Sequence, residues 1–316
     1  MTEQEKLMYD FLARVSKTDA PIVFKGGLIT KLILSENGFT DVQRSTKDVD
    51  ANWIGSPPSM QEMVHTISEA LGELQETFEV IASREYKEKT SAGISIVDKK
   101  TGDRLISMDI DIKPLIGIKT YYFGEASIRG VLANEILADK ICAISGDSVY
   151  KHRAKDLIDV YSLSHCSAIN AKEIYDTCIK SNRTISTFEA FYNRYDDVKH
   201  AYDKLRGVEG KPDFDRLYKY LSAFIKPFAL KKFENISWNA HRWNWELPEN
   251  TIDIKTTISE ILQTSTTPKS AESRSQEPFY FGKKAVLGHK PTSKRQEPES
   301  SRDKSKQSHR NNNNIE

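Results

Sequence analysis

One stretch limits the possible folds more than any other. Leu105-Ile106-Ser107-Met108-Asp109-Ile110-Asp111-Ile112 alternates apolar with polar or acidic residues after its first pair. A strand turns successive side chains to opposite faces. Met108, Ile110 and Ile112 therefore look one way, Asp109 and Asp111 the other. The segment predicts a strand with one buried face and carboxylates along the other. Upstream, Ile94–Val97 is joined to it by Asp98-Lys99-Lys100-Thr101-Gly102-Asp103, turn chemistry that predicts a hairpin.

The rest of the first half alternates helices with strands. Leu7, Met8, Phe11, Leu12 and Val15 recur at helical spacing and predict a helix over Glu3–Val15. Ile22-Val23-Phe24 is a short apolar run that stops at Gly26-Gly27, with a helix predicted over Leu28–Leu34 and Gly38 as its stop. Strands are predicted over Asp48–Ile54 and Phe78–Tyr86. Helices are predicted from Ser59 to Leu71, over Asn134–Ser145 and over Lys155–Leu163. This order predicts an α+β domain with a mixed sheet over residues 1–165. Residues 166–263 read as helices, at Ala171–Lys180, Thr187–Phe191, Val198–Leu205, Phe214–Leu230 and Thr257–Leu262, and predict a small helical bundle.

The 316 residues carry 46 Lys+Arg against 45 Asp+Glu, so overall charge does not mark a nucleic-acid binder. The charge is uneven, however. Residues 264–316 hold 11 basic and 6 acidic side chains, leaving 35 basic and 39 acidic in the body. That terminal region is rich in Ser, Lys, Arg, Gln, Pro and Asn, which predicts a basic, largely disordered tail. No run of about 18 apolar residues exists, which excludes a spanning helix. Cys142, Cys166 and Cys178 form no C-x-x-C pair, so neither a disulfide framework nor a zinc knuckle is expected, and a reducing cytoplasm is the expected location.

Asp48 and Asp50 lie two apart on the predicted strand, so both carboxylates leave one face. Adjacent carboxylates repel unless a cation sits between them. The hard ion Mg²⁺, or Mn²⁺, suits such oxygen ligands and leaves room for phosphate. Gly26-Gly27 lets backbone amides approach a phosphate, at the start of a helix whose dipole favours an anion. The strand with Asp109 and Asp111 supplies a further carboxylate. Two metals held by three Asp residues fit in-line attack on an α-phosphate. Lys140 stands beside the apolar face of its helix and can neutralise a triphosphate. Asp156, three residues before Asp159, can orient that lysine or accept a proton, or simply pair with Arg153 on a solvated face. His152, His165 and the cluster Trp238, Trp243 and Trp245 read as ordinary surface or packing residues.

Five blocks together resemble the AbiEii/AbiGii toxin family of nucleotidyltransferases. They are Gly26-Gly27, Arg44-Ser-Thr-Lys-Asp48-Val-Asp50, Ile110-Asp111-Ile112, Glu135-Ile-Leu-Ala-Asp-Lys140-Ile-Cys-Ala143 and Lys155-Asp156-Leu-Ile-Asp159-Val-Tyr161. The resemblance covers roughly residues 5–235. It implies a DNA polymerase β-like nucleotidyltransferase domain followed by a helical domain, transfer of NMP from an NTP with Mg²⁺, and a tRNA 3′ end as acceptor. It also implies a role in toxin–antitoxin or abortive-infection systems, with a separately encoded antitoxin that forms no stable complex. Carried over by position, Asp48, Asp50 and Asp111 become the metal ligands. Gly26 and Gly27 become the triphosphate turn, Lys140 the nucleotide-phosphate contact and Asp156 the acid/base residue. Leu28 follows Gly27 where many relatives carry Thr or Ala, so a hydroxyl contact to phosphate would come from Thr30, Ser45 or Thr46, or be absent. Two other classes compete with an RNA-modifying enzyme. One is a non-catalytic module that captures NTP or RNA; the other is a nucleotidyltransferase acting on a protein or small molecule.

Overall fold

The computed structural model describes residues 2–87, 91–166 and 168–247. The tail 264–316 and the helix expected over Thr257–Leu262 lie outside the described residues. Helix α1 (Glu3–Ser16) opens with a capping box. Thr2 Oγ1 accepts from the Glu5 amide, and the Glu5 carboxylate accepts from the Thr2 amide. Strand β1 (Ile22–Lys25) runs straight into α2 (Gly26–Glu36), so the Gly-Gly pair is the helix's own first turn and not a turn ahead of Leu28. Next come β2 (Gln43–Arg44) and β3 (Val49–Trp53), with Asp48 just ahead of the strand. Helix α3 (Met60–Leu71) leads to the antiparallel run β4 (Phe78–Lys87), β5 (Ser91–Asp98) and β6 (Arg104–Asp111).

A hairpin that the sequence pattern did not predict follows, β7 (Ile118–Phe123) and β8 (Ala126–Val131), turned at Gly124. Only Tyr121 of β7 is fully buried, so the strand lacks the alternation that would betray it. Helices α4 (Ala133–Ser145), α5 (Val149–His152), α6 (Ala154–Cys166), α7 (Ala171–Lys180), α8 (Glu189–Asn193) and α9 (Tyr195–Asp203) follow. After the short β9 (Val208–Glu209) comes α10 (Phe214–Ala229).

Residues 237–246 correct the expectation of helix throughout the second half. They form a hairpin of β10 (Ser237–Asn239) and β11 (Asn244–Glu246), with Trp238 paired to Trp245. Both indoles pack edge or face on Phe224 of α10. Trp238 Nε1 donates to the Tyr220 hydroxyl and Trp245 Nε1 to the Phe224 carbonyl. Aromatic contacts from the preceding helix thus fix a strand pair too short to stand alone.

The main sheet has seven strands in the order β4-β5-β6-β3-β1-β8-β7. It is mixed: β1 pairs antiparallel with β3 and parallel with β8, and β3 pairs parallel with β6. Phe24, Val49, Ala51, Met108 and Ile110 bury one face of its centre. One contiguous core continues through α4 and α6 to α10. The central parallel pair places the acidic residues of β3 and β6 side by side, which is the fold's contribution to the site.

Candidate active site

Gly26 turns from β1 into α2 with φ at +68°, a conformation that strains any side-chain-bearing residue. A Cβ there would overlap the Asp50 carboxylate. A Cβ on Gly27 would come within 2.7 Å of Thr46 Oγ1 and 2.9 Å of Arg44 Nη2. The two glycines therefore let the start of α2 press against β3 and the segment before it. No side chain caps this helix start, where backbone amides and the dipole favour an anion.

The register explains the acidic face. Lys25 lies opposite Asp50, Asp50 opposite Asp109, and Asn52 opposite Asp111. The two β6 carboxylates then part company. Asp109 pairs with Arg84 at 2.8 Å on the exposed side, while Asp111 lines the cleft and meets Lys25 Nζ at 2.5 Å. Of the predicted ligands, Asp50 and Asp111 share the cleft, and Asp48 is exposed at the entry to β3. Among the described residues, no three His, Cys, Asp or Glu side chains converge tightly enough to hold an ion. Asp111 is held by the Lys25 ammonium, and Asp48 lies outside the cleft lining. The donor chemistry nevertheless fits a hard cation. All donors are carboxylate oxygens, and Asn52 Oδ1, two residues beyond Asp50, is buried without a hydrogen-bond partner. Burial pushes the Asp50 carboxyl above its usual range, against the pull of Lys140, Lys25 and Lys155.

Behind this face lies a buried charge network. Lys140 Nζ of α4 meets Asp156 Oδ1 at 2.6 Å and Asp159 Oδ2 at 3.1 Å, both from α6. Arg44, just ahead of Asp48, grips Asp159 with Nε and Nη2 at 3.0 and 3.1 Å. Asp156 and Asp159 are almost wholly buried. Their spacing places both on one face of α6, so the solvated-face alternative does not hold, although Arg153 still touches Asp156 at 3.5 Å. Burial opposes the charge on Lys140, but Asp159 and Asp156 hold its pKa above the ordinary lysine range. Burial likewise opposes the charge on Asp159, yet Lys140 and Arg44 hold that carboxyl below its usual range.

The segment before Asp48 has a second anchor. Glu5 accepts from the Thr46 amide at 3.1 Å and from Lys31 Nζ at 2.6 Å. The carboxylate that closes the α1 capping box thus also holds residue 46. Of the three hydroxyls considered for phosphate, Thr30 donates to the Gly26 carbonyl and Ser45 to the Gly207 carbonyl. Thr46 lies beside Gly27. His165 packs on Tyr220 and Tyr161, as expected of an ordinary residue.

These elements surround a cleft of about 470 Å³. Lys25, Gly26, Asp50 and Asp111 come from the sheet side, Asp139 and Lys140 from α4, Arg153 and Asp156 from α6 and its entry, and residues 182–184 from the loop after α7. A separate cavity of about 200 Å³, walled by Tyr9, Leu32, Leu34, Phe39, Val42 and Phe123 among others, has no carboxylate in its lining. Sequence reading missed Lys25, Arg44, Asp159 as a partner of Lys140, and the 182–184 loop. Arg44 and Asp159 stand inside recognisable blocks; the loop carries no local signal.

Two outcomes follow from this geometry. Gly26→Ala and Gly38→Ala both put Ala at positive φ, but space around Gly38 is open. Each should lose about 1–2 kcal/mol from the backbone, and Gly26→Ala should lose clearly more because it displaces Asp50; equal losses by chemical denaturation would contradict the close approach. Asp159 has a depressed folded-state pKa, so its contribution is present above the unfolded value of about 4 and is lost as pH falls through the lower folded value. Asp159→Asn should cost about 3–5 kcal/mol at pH 7, since it strands the buried Arg44 and takes one of two carboxylates from Lys140. It should also flatten the fall in stability below pH 4, read from denaturation midpoints across pH.

Comparisons with known proteins add the following. The profile of the family described as nucleotidyl transferase AbiEii toxin, type IV TA system, matches residues 7–235. Among solved structures, MenT4, a nucleotidyltransferase toxin from Mycobacterium tuberculosis H37Rv, is similar at 17% identity and a TM-score of 0.47, over 76% of this chain and 86% of that one. An antigenic nucleotidyltransferase-like protein from Paracoccidioides brasiliensis is similar at 11% identity and 0.38, over 64% and 92%. ANT(2″)-Ia in complex with adenylyl-2″-tobramycin is similar at 14% and 0.38, over 61% and 99%. No curated protein matches the chain significantly. No helix among the described residues is long and apolar enough to cross a membrane. The match over residues 7–235 makes the chain a member of the AbiEii family of nucleotidyl transferase toxins of type IV toxin–antitoxin systems.

Proposed function

We propose that this toxin transfers NMP from an NTP to an RNA acceptor, the 3′ end of tRNA, in the cytoplasm. The observation that carries the reading is the meeting in one cleft of the Gly26-Gly27 helix start, Asp50 and the buried Lys140 network. Asp48 and Asp50 would hold Mg²⁺ or Mn²⁺, and Asp111 would join them on exchanging Lys25 for the metal. A divalent ion so bound supplies charge neutralisation to the triphosphate. The chain's own groups do the rest. The amides at the start of α2 receive phosphate oxygens. Lys140, fixed by Asp156 and Asp159, presents a permanent positive charge beside Asp50, where negative charge grows as the leaving pyrophosphate departs. Asp156 shares its proximal oxygen with Lys140; its role is to orient that lysine, and acceptance of the acceptor hydroxyl's proton is its second assignment.

Support for an RNA acceptor comes from the basic stretch at the cleft's edge. Lys151, His152, Arg153 and Lys155 are all exposed, and Arg153 also lines the cleft. Such a face attracts a phosphate backbone even though the body as a whole is slightly acidic. We assign the chemistry to the sheet-containing region 1–165, which also carries this basic stretch. A separately encoded antitoxin that forms no stable complex fits a type IV system.

Asp48→Ala tests this with little risk to folding, since Asp48 is exposed. Wild type and variant are incubated with Mg²⁺, total tRNA and each α-³²P-labelled NTP. Label should enter RNA with the wild type, and fall at least about 100-fold in the variant. Label in protein, or none at all, would overturn the RNA reading.

A further inference from the structure

One wall of the cleft belongs to the loop after α7. That helix closes in a Schellman motif: the Asn182 amide donates to the Ile179 carbonyl at 3.0 Å and the Arg183 amide to the Cys178 carbonyl at 2.8 Å. Asn182 takes the left-handed position, with φ at +54°. Further on, the Ser186 amide donates to Ser145 Oγ at 2.8 Å and the Phe188 amide to the Ser145 carbonyl at 3.0 Å. The loop is thus stitched at one end to α7 and at the other to the last turn of α4. The backbone that carries Arg183 is fixed.

The Arg183 side chain is only 7% exposed and lines the cleft. Its Nε pairs with Asp139 of α4. One carboxylate can serve one edge of a guanidinium, which has five donors. Nη1 has no hydrogen-bond partner among the described residues. Two other largely buried cations of the cleft are committed, Lys25 to Asp111 and Lys140 to Asp156 and Asp159, while Arg153 at its edge is exposed. A buried guanidinium with donors to spare, held in place by an acid on the neighbouring helix, suits the oxygens of a phosphate.

Resting on the nucleotidyltransferase reading of the cleft, we propose that Arg183 binds the triphosphate of the NTP, with Asp139 as its positioning residue. The helical region then contributes directly to the nucleotide site. Arg183 adds a buried cationic donor group there with a guanidinium edge that Asp139 leaves open.

Equilibrium binding to the full chain with Mg²⁺ tests it, using ATP, GTP, CTP and UTP and their monophosphates. Arg183→Ala should weaken the preferred triphosphate about 10- to 100-fold and change the monophosphate by less than about twofold. Arg183→Lys, which keeps the stem and charge, should lie between and guards against misfolding of the alanine variant. Equal losses for tri- and monophosphate would mean a merely structural arginine and overturn the inference. So would unchanged nucleotide binding with weakened RNA binding. A wild type that binds no NTP would overturn the reading of the cleft and this inference with it; a wild type that binds NTP beside an unchanged variant would overturn this inference alone.

Discussion

The bond between Arg44, Asp159, Lys140 and Asp156 is the constraint on which the rest of the site depends. Four charges from three separate segments are removed from water together. Burying any one alone would be prohibitive, and the set persists because each carboxylate faces a cation and each cation a carboxylate. Such a network is weak evidence for stability, since an apolar replacement can do as well. It is better evidence for a position that chemistry requires. Here it joins α4, α6 and the segment entering β3, so Lys140 and the Asp48–Asp50 strand cannot shift independently.

A second close contact completes the arrangement. Without side chains on Gly26 and Gly27, the start of α2 sits against Asp50 on one side and Thr46 and Arg44 on the other. Glu5 then ties Thr46 to α1 and Lys31. The segment 44–50 is therefore held from behind by α6, from below by α1 and from the front by a helix start. The parallel pairing of β3 with β6 adds Asp111. The result is a cleft with fixed cations and carboxylates in near balance, as a site needs when it must admit a strongly anionic nucleotide and a cation together.

Much of this was legible in the chain because the signals are local. Strict alternation from Ser107 to Ile112 marks β6, and the helical spacing of Leu7, Phe11, Leu12 and Val15 marks α1. Asp48 and Asp50, Gly26 and Gly27, and Lys140 stand in recognisable blocks. What stayed hidden is what only tertiary pairing decides. Asp109 and Asp111 are equivalent in sequence; Arg84 takes one and Lys25 the other because of where β4 and β1 lie. The β10–β11 hairpin owes its conformation to Phe224 and Tyr220, residues on another element. Arg183 lies more than forty residues from Asp139, and only the packing of α7 on α4 reveals the pair. The edge strand β7, mostly exposed, has no periodic signal to read.

A crystal structure of the full chain with Mg²⁺ and a non-hydrolysable NTP analogue would locate the nucleotide and the metal in the cleft. The triphosphate should lie against the Gly26-Gly27 turn, with the metal on Asp48 and Asp50 and Lys140 Nζ within hydrogen-bond reach of a phosphate oxygen. A nucleotide seated instead in the apolar cavity beside Tyr9 and Phe39, or a metal held away from Asp50, would contradict this placement.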